Sequence, residues 1–214
     1  MGYDAVALGN HDWLMGTDEL NALFGRVKRR PTILASNVKV DREQYPFIYR
    51  NVFSHKFITL HGQKIAILGL TTDESFYKWR LYKGDIKDPI STGRKMAQRL
   101  RDEDGADRVI ALTHLGFVTD QKLGSEADLD LIVGGHSHTL LKKPLYAKNQ
   151  KKKHFVPVVQ AGMYGEFVGR LLVDITRGRP LRVVKYDLLP VENHKTHDQK
   201  VSEYVKGARE TLNR

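Results

Sequence analysis

Leu129-Asp130-Leu131-Ile132-Val133-Gly134-Gly135-His136-Ser137-His138 is the stretch on which the reading of this chain turns. Its first half is a mostly apolar run of strand length; its second brings two glycines and two metal-capable imidazoles. A buried strand that stops at a histidine delivers that ring to the rim of a sheet, where side chains from several strands meet. The pattern recurs twice: Tyr3 to Leu8 runs into Gly9-Asn10-His11-Asp12, and Arg108 to Leu112 runs into Thr113-His114. One rim could therefore hold Asn10, His114, His136 and His138 together. A lone histidine after a strand is most often a packed or surface residue. A His-x-His pair inside a double-glycine turn, with two more such strand ends, is a rarer coincidence and points to a metal. Neutral imidazole with an amide oxygen beside it suits zinc, manganese or iron. Gly134 and Gly135 are expected to adopt backbone angles that side chains forbid, letting His136 approach an ion closely.

Outward from these rims the chain alternates helix and strand. Thr17 or Asp18 is expected to cap a helix over 19–24 that closes around Gly25. Thr32 to Ser36 is a further apolar run. Lys56 to Leu60 and Lys64 to Leu68 read as a hairpin about His61-Gly62-Gln63. Thr71 to Asp88 breaks into a polar, aromatic loop. Asp88-Pro89 starts a helix with the stripe Ile90, Met96, Ala97 and Leu100, ended by Gly105. Beyond His138 the texture is of strands without long helices: 156–160, 167–175 and 181–189, the last two joined at Arg177-Gly178-Arg179-Pro180. The tail from Asp198 to Leu212 reads as an exposed helix. Helix–strand alternation followed by a β-rich stretch implies an α/β fold with helices outside a sheet sandwich.

At 214 residues and 41% hydrophobic content the chain can bury one sizeable core. No apolar stretch nears the roughly 20 residues that span a bilayer, and no signal peptide is visible at Met1-Gly2-Tyr3-Asp4. With no cysteine, disulfides, thiolate ligands and cysteine nucleophiles are excluded. The formal charge of +10 raises nucleic acid, membrane surfaces and phosphorylated substrates as partners. Its densest patch, Lys142-Lys143, Lys148 and Lys151-Lys152-Lys153-His154, reads as a solvated loop. Between Lys148 and His154 no aromatic residue interleaves with the lysines, which leaves nucleic acid the weakest of these partners.

Taken together and in order, these stretches resemble the 5'-nucleotidase and cyclic-nucleotide phosphodiesterase family of calcineurin-like metallophosphoesterases. Gln160-Ala161-Gly162-Met163-Tyr164-Gly165 followed by Gly169-Arg170-Leu171 extends the likeness to about residue 190. The resemblance implies a four-layered αββα sandwich carrying two divalent ions at one edge, without selecting among manganese, zinc, iron, magnesium and calcium. It implies that Asn10, His114 and His136 ligate one ion and that His138 helps hold the other. His11 is then the expected catalytic histidine, stabilising the transition state or protonating the leaving oxygen. Two ions roughly 3.5–4 Å apart would polarise a phosphoryl oxygen and activate water. The implied activity is hydrolysis of nucleotides or related phosphate monoesters; thiosulfate-ester hydrolases share similar motifs and form an alternative subclass.

Two departures qualify that likeness. Leu14 stands where the nucleotidases carry an aspartate that orients the catalytic histidine. The family's Asp-x-His and Gly-Asp motifs lie upstream of the segment that matches, so the sandwich is expected to be incomplete at its N-terminus, with an uncovered sheet edge. On this reading residues 1–192 are a metallophosphoesterase domain lacking its first strands, and 193–214 a helical linker toward an absent nucleotide-recognition domain. The isolated chain would be impaired or inactive, and a non-catalytic metal- or anion-binding fragment is the alternative. Relatives imply a periplasmic or secreted protein.

Overall fold

The computed structural model describes residues 2–27, 31–152, 154–191 and 198–212. In chain order the strands are β1 (Ala5–Ala7), β2 (Thr32–Leu34), β3 (Val38–Val40), β4 (Val52–Phe53), β5 (His55–Leu60), β6 (Gln63–Thr71), β7 (Gly84–Ile86), β8 (Arg108–His114), β9 (Leu131–Val133), β10 (Leu145–Lys148), β11 (Phe155–Val159), β12 (Phe167–Asp174) and β13 (Arg182–Pro190). The α-helices are α1 (Thr17–Arg26), α2 (Pro46–Asn51), α3 (Ser75–Lys78), α4 (Pro89–Asp102), α5 (Phe117–Glu126) and α6 (Gln199–Leu212), and a 3-10 turn covers Asn10–Trp13.

A six-stranded sheet in the order β10-β11-β9-β8-β6-β5 is the centre of the molecule. Its four inner strands are mutually parallel, with antiparallel β5 and β10 at the edges. All four inner strands therefore end on the same side, which is where open α/β sheets place their ligands. Helices α4 and α5 cover one face, burying Leu68, Leu70, Leu100, Val109, Leu123 and Ile132 completely. A smaller parallel sheet, β1-β2-β4, packs its first two strands against β6 and β8. Strand alternation settles the layering. Leu34 lies against Gly69 of the large sheet, while Ile33 joins Leu20, Phe24, Tyr45 and Ile48 in a second core with α1 and α2. Two helical layers thus enclose two sheets, the αββα order, and β1 is an edge strand of the smaller sheet.

Local chemistry explains most of the element boundaries. Asp88 accepts a hydrogen bond from the Ser91 N–H (2.7 Å) and Pro89 opens α4, as the sequence implies. His61 and Gly62 both have positive φ, 48° and 72°, which suits the two-residue turn joining β5 to β6. Thr17 is not a cap: Gly16 precedes α1, and the Thr17 hydroxyl donates to the Arg80 carbonyl (2.9 Å) and accepts from the Tyr82 N–H (3.1 Å). The stretch read as a loop over 71–88 contains the end of β6, the short α3, and β7 paired with β3. Lys148 of the lysine patch lies in β10, and the Asn149 side chain turns the chain by accepting from the Lys151 and Lys152 N–H groups. Lys153 and the boundary expected at 192/193 lie outside the described residues. No helix of the described residues is long and apolar enough to cross a membrane.

Candidate metal-binding rim

Each candidate side chain reaches the rim by a different local device. In the 3-10 turn, residues three apart share a face, so Asn10 and Trp13 are both buried while His11 and Asp12 between them are exposed. Trp13 anchors the turn in the second core, and the Asp12 carboxylate accepts from the Gly9 N–H (2.7 Å). On β8, alternation sends Thr113 under α5 and His114 to the opposite face. The loop after β9 carries His136 and His138.

Asn10, His114 and His136 are brought together. The Asn10 Oδ1 lies 2.7 Å from His114 Nε2 and 3.2 Å from His136 Nδ1, and the two rings are 5.0 Å apart centre to centre. Two ring nitrogens thus converge on one amide oxygen, although Asn10 is 104 and 126 positions from the two histidines. Burial drives the His114 pKa down to about 4, and the charges of His136, His11 and His138 add to the effect. His114 is therefore neutral at physiological pH, the form that ligates metals. His11 and His138 are near enough to act electrostatically on His114. The His138 ring itself lies against Tyr164, 5.8 Å between centroids.

The donor set of two imidazoles and an amide suits a borderline divalent ion. Among the described residues, no three His, Cys, Asp or Glu side chains come together as a group able to hold one. What meets at the rim is thus two imidazoles and one amide oxygen. A carboxylate also touches the rim: Glu74 Oε1 lies 3.2 Å from His136 Nε2. No spacing in the 71–88 stretch singles Glu74 out; the tertiary fold alone brings it here.

The glycines work differently from the expectation. Gly134 and Gly135 do not take positive φ; the left-handed residues are His136 (φ 77°) and His138 (φ 57°). Gly134 is needed for space, since a Cβ there would collide with the Asp120 carboxylate, whereas one at Gly135 would make ordinary contact with the Thr113 carbonyl at 3.4 Å. Gly9 is similarly confined, with His114 ring atoms 2.9–3.1 Å from where its Cβ would stand. Asp120 went unnoticed in the sequence because α5 carries no clear apolar stripe. It is fully buried, accepts from the Thr113 hydroxyl (2.7 Å), and leaves Oδ2 without a partner. Burial pushes its pKa up to about 7, against the lowering effect of that hydroxyl.

Comparison with known proteins gives a consistent picture. The calcineurin-like phosphoesterase profile matches residues 3–140. A 5'-nucleotidase of Vibrio vulnificus is 30% identical over 221 residues, covering 89% of this chain and 38% of that protein. The trifunctional nucleotide phosphoesterase protein YfkN of Bacillus subtilis is 30% identical over 226 residues, covering 91% and 15% respectively. Among solved structures, the 5'-nucleotidase precursor of Thermus thermophilus superposes with a TM-score of 0.79 at 27% identity, covering 96% of this chain and 42% of that one. The NAD nucleotidase of Haemophilus influenzae shares the fold at a TM-score of 0.85 and 21% identity, covering 99% and 51%. The chain thus spans well under two thirds of each of these relatives.

Proposed function

The chain belongs to the calcineurin-like phosphoesterase family, and on that premise we propose that it forms part of a metal-dependent phosphoesterase acting on nucleotides or related phosphate monoesters. The observation that carries the reading is the convergence of His114 Nε2 and His136 Nδ1 on Asn10 Oδ1. In it Asn10, His114 and His136 hold one divalent ion, and His138 contributes to a second. Bound divalent ions would polarise the phosphoryl oxygen and supply an activated water. The chain's own residues do the rest. The low pKa of His114 keeps its ring free of a competing proton. His11, exposed beside Asn10 on a turn anchored by Trp13, would donate a proton to the leaving oxygen. The domain unit of residues 1–192, the linker role of 193–214 and an extracytoplasmic location belong to the same proposal.

Hydrolysis of a nucleoside monophosphate with added manganese or zinc, measured on the full product of the gene, tests it. His11→Ala and His136→Ala should each lower kcat by about 100-fold or more. Full turnover in both variants would overturn the assignment. A second reading is a cation-binding unit without turnover, favoured by the donor set of two rings and one amide. It predicts about one weakly held ion per chain and no hydrolysis by the 214 residues alone.

A further inference from the structure

We infer that Gln160, buried just past the end of β11, is the positioning residue that sets His136 and His138 in their metal-facing conformation. The inference rests on the reading of those histidines as cation ligands and deepens it. Gln160 is 3% exposed. Its Nε2 donates to the Gly135 carbonyl (3.2 Å), its Oε1 accepts from the Thr139 N–H (2.5 Å), and the Ser137 hydroxyl lies 3.2 Å from that same Oε1. One amide therefore ties positions 135, 137 and 139. The untied positions between them, 136 and 138, are the histidines, and both hold the left-handed backbone that residues with a Cβ rarely adopt. The start of α5 ties the same points from the other side: Gly116 N–H donates to the Gly135 carbonyl (3.1 Å) and Phe117 N–H to Ser137 Oγ (2.9 Å).

The chemistry calls for an amide. One end must accept twice while the other donates, and glutamine alone among side chains of this length does both. A glutamate would keep the acceptor but set a carboxylate oxygen against the Gly135 carbonyl. A leucine would leave the Thr139 N–H and part of the Gly135 carbonyl unsatisfied behind the loop.

The test uses the 214-residue chain with 15N-labelled histidine, reading ring resonances by long-range proton–nitrogen spectra and zinc affinity by calorimetry. Gln160→Leu should shift the His136 and His138 ring signals, leave those of His55 and His61 in place, and weaken zinc binding about 10- to 100-fold. Asn149→Leu is the control. Asn149 is equally buried and bonds the Gly124 and Ala127 carbonyls near the end of α5; its loss should lower the Tm without changing either readout. Should Gln160→Leu not fold, Gln160→Glu carries the test, moving the His136 signals more than those of His138. Unchanged rings and affinity in the Gln160 variants, or an equal loss of affinity in Asn149→Leu, would overturn the inference. Absence of zinc binding to the unaltered chain would instead defeat the ligand reading, while the ring signals still decide whether Gln160 positions the loop.

Discussion

On one face of the central sheet, Ala66, Leu68, Leu70, Val109, Ala111 and Ile132 are fully buried under α4 and α5. On the other, Ile67, Ile110, Leu112 and Val133 are as apolar yet only half-buried, on the side of β1 and β2. The difference separates the two jobs at the rim. His114 continues the row of Ile110 and Leu112 on the open face, where a ligand can reach it. Thr113 continues the row of Val109 and Ala111 on the closed face, where it bonds buried Asp120. A donor on the open side is thus braced from the closed side, one residue apart on one strand.

The closed face has one weakness, the half-satisfied Asp120, and it gives the largest expected effect. The folded-state pKa of about 7 lies above the 3.8 of an ordinary aspartate. Between those values the folded chain keeps a proton that the unfolded chain has lost, so stability falls as pH rises through that window and levels off above about 7. Roughly three pH units correspond to about 4 kcal/mol. Asp120→Asn should remove this slope, seen as the difference between urea-unfolding free energies of the two proteins from pH 4 to 8. Identical profiles would mean that the closed face tolerates the charge, and the contrast between the faces would fail there.

Truncation measures the contrast directly. Leu68→Ala on the closed face should cost about 3 kcal/mol, because helices on one side and sheet on the other leave a cavity that cannot collapse. Ile110→Ala on the open face should cost about 1.5 kcal/mol, since much of that side chain already meets solvent. Equal losses in urea unfolding would show that the open face is as tightly packed as the closed one.

What was legible in the sequence follows the same division. Strands β6, β8 and β9 and helix α4 are continuous apolar runs or striped segments with their own punctuation, and each sits close to where its residues place it. The three strand-end motifs likewise name Asn10, His114 and His136, because a strand followed by a polar tip encodes its own rim position. Helix α5 was missed: it buries Asp120 and Gly124 where a stripe would carry leucines, Gly124 lying close to Ala147 of β10. Glu74, Gln160 and Asp120 act through partners on other elements, 7 to 62 positions away, and no local pattern records such pairings. The 134–135 glycine pair marks a special turn, but not through its own backbone angles. At Gly134 the missing Cβ makes room for Asp120, and the unusual backbone falls on the histidines.

The smallest effect on stability comes where the open face is covered after all, at its rim, by the Gly9–Asn10 turn. Gly9 has φ −108°, a conformation alanine adopts freely, so Gly9→Ala brings no backbone strain. The added methyl meets the His114 ring at 2.9 Å on Cε1 and 3.0 Å on Nε2. Half-buried and bounded by solvent, that ring can swing aside, and the cost should be about 1 kcal/mol or less. The swing must break the 2.7 Å contact with Asn10 while leaving that of His136 intact, so His114 ring resonances should move and those of His136 should stay. A closed face would answer the same methyl with a large loss of stability and no selective movement. If Gly9→Ala unfolds the chain as readily as Leu68→Ala, the rim belongs to the packed side, and access to His114 needs another route.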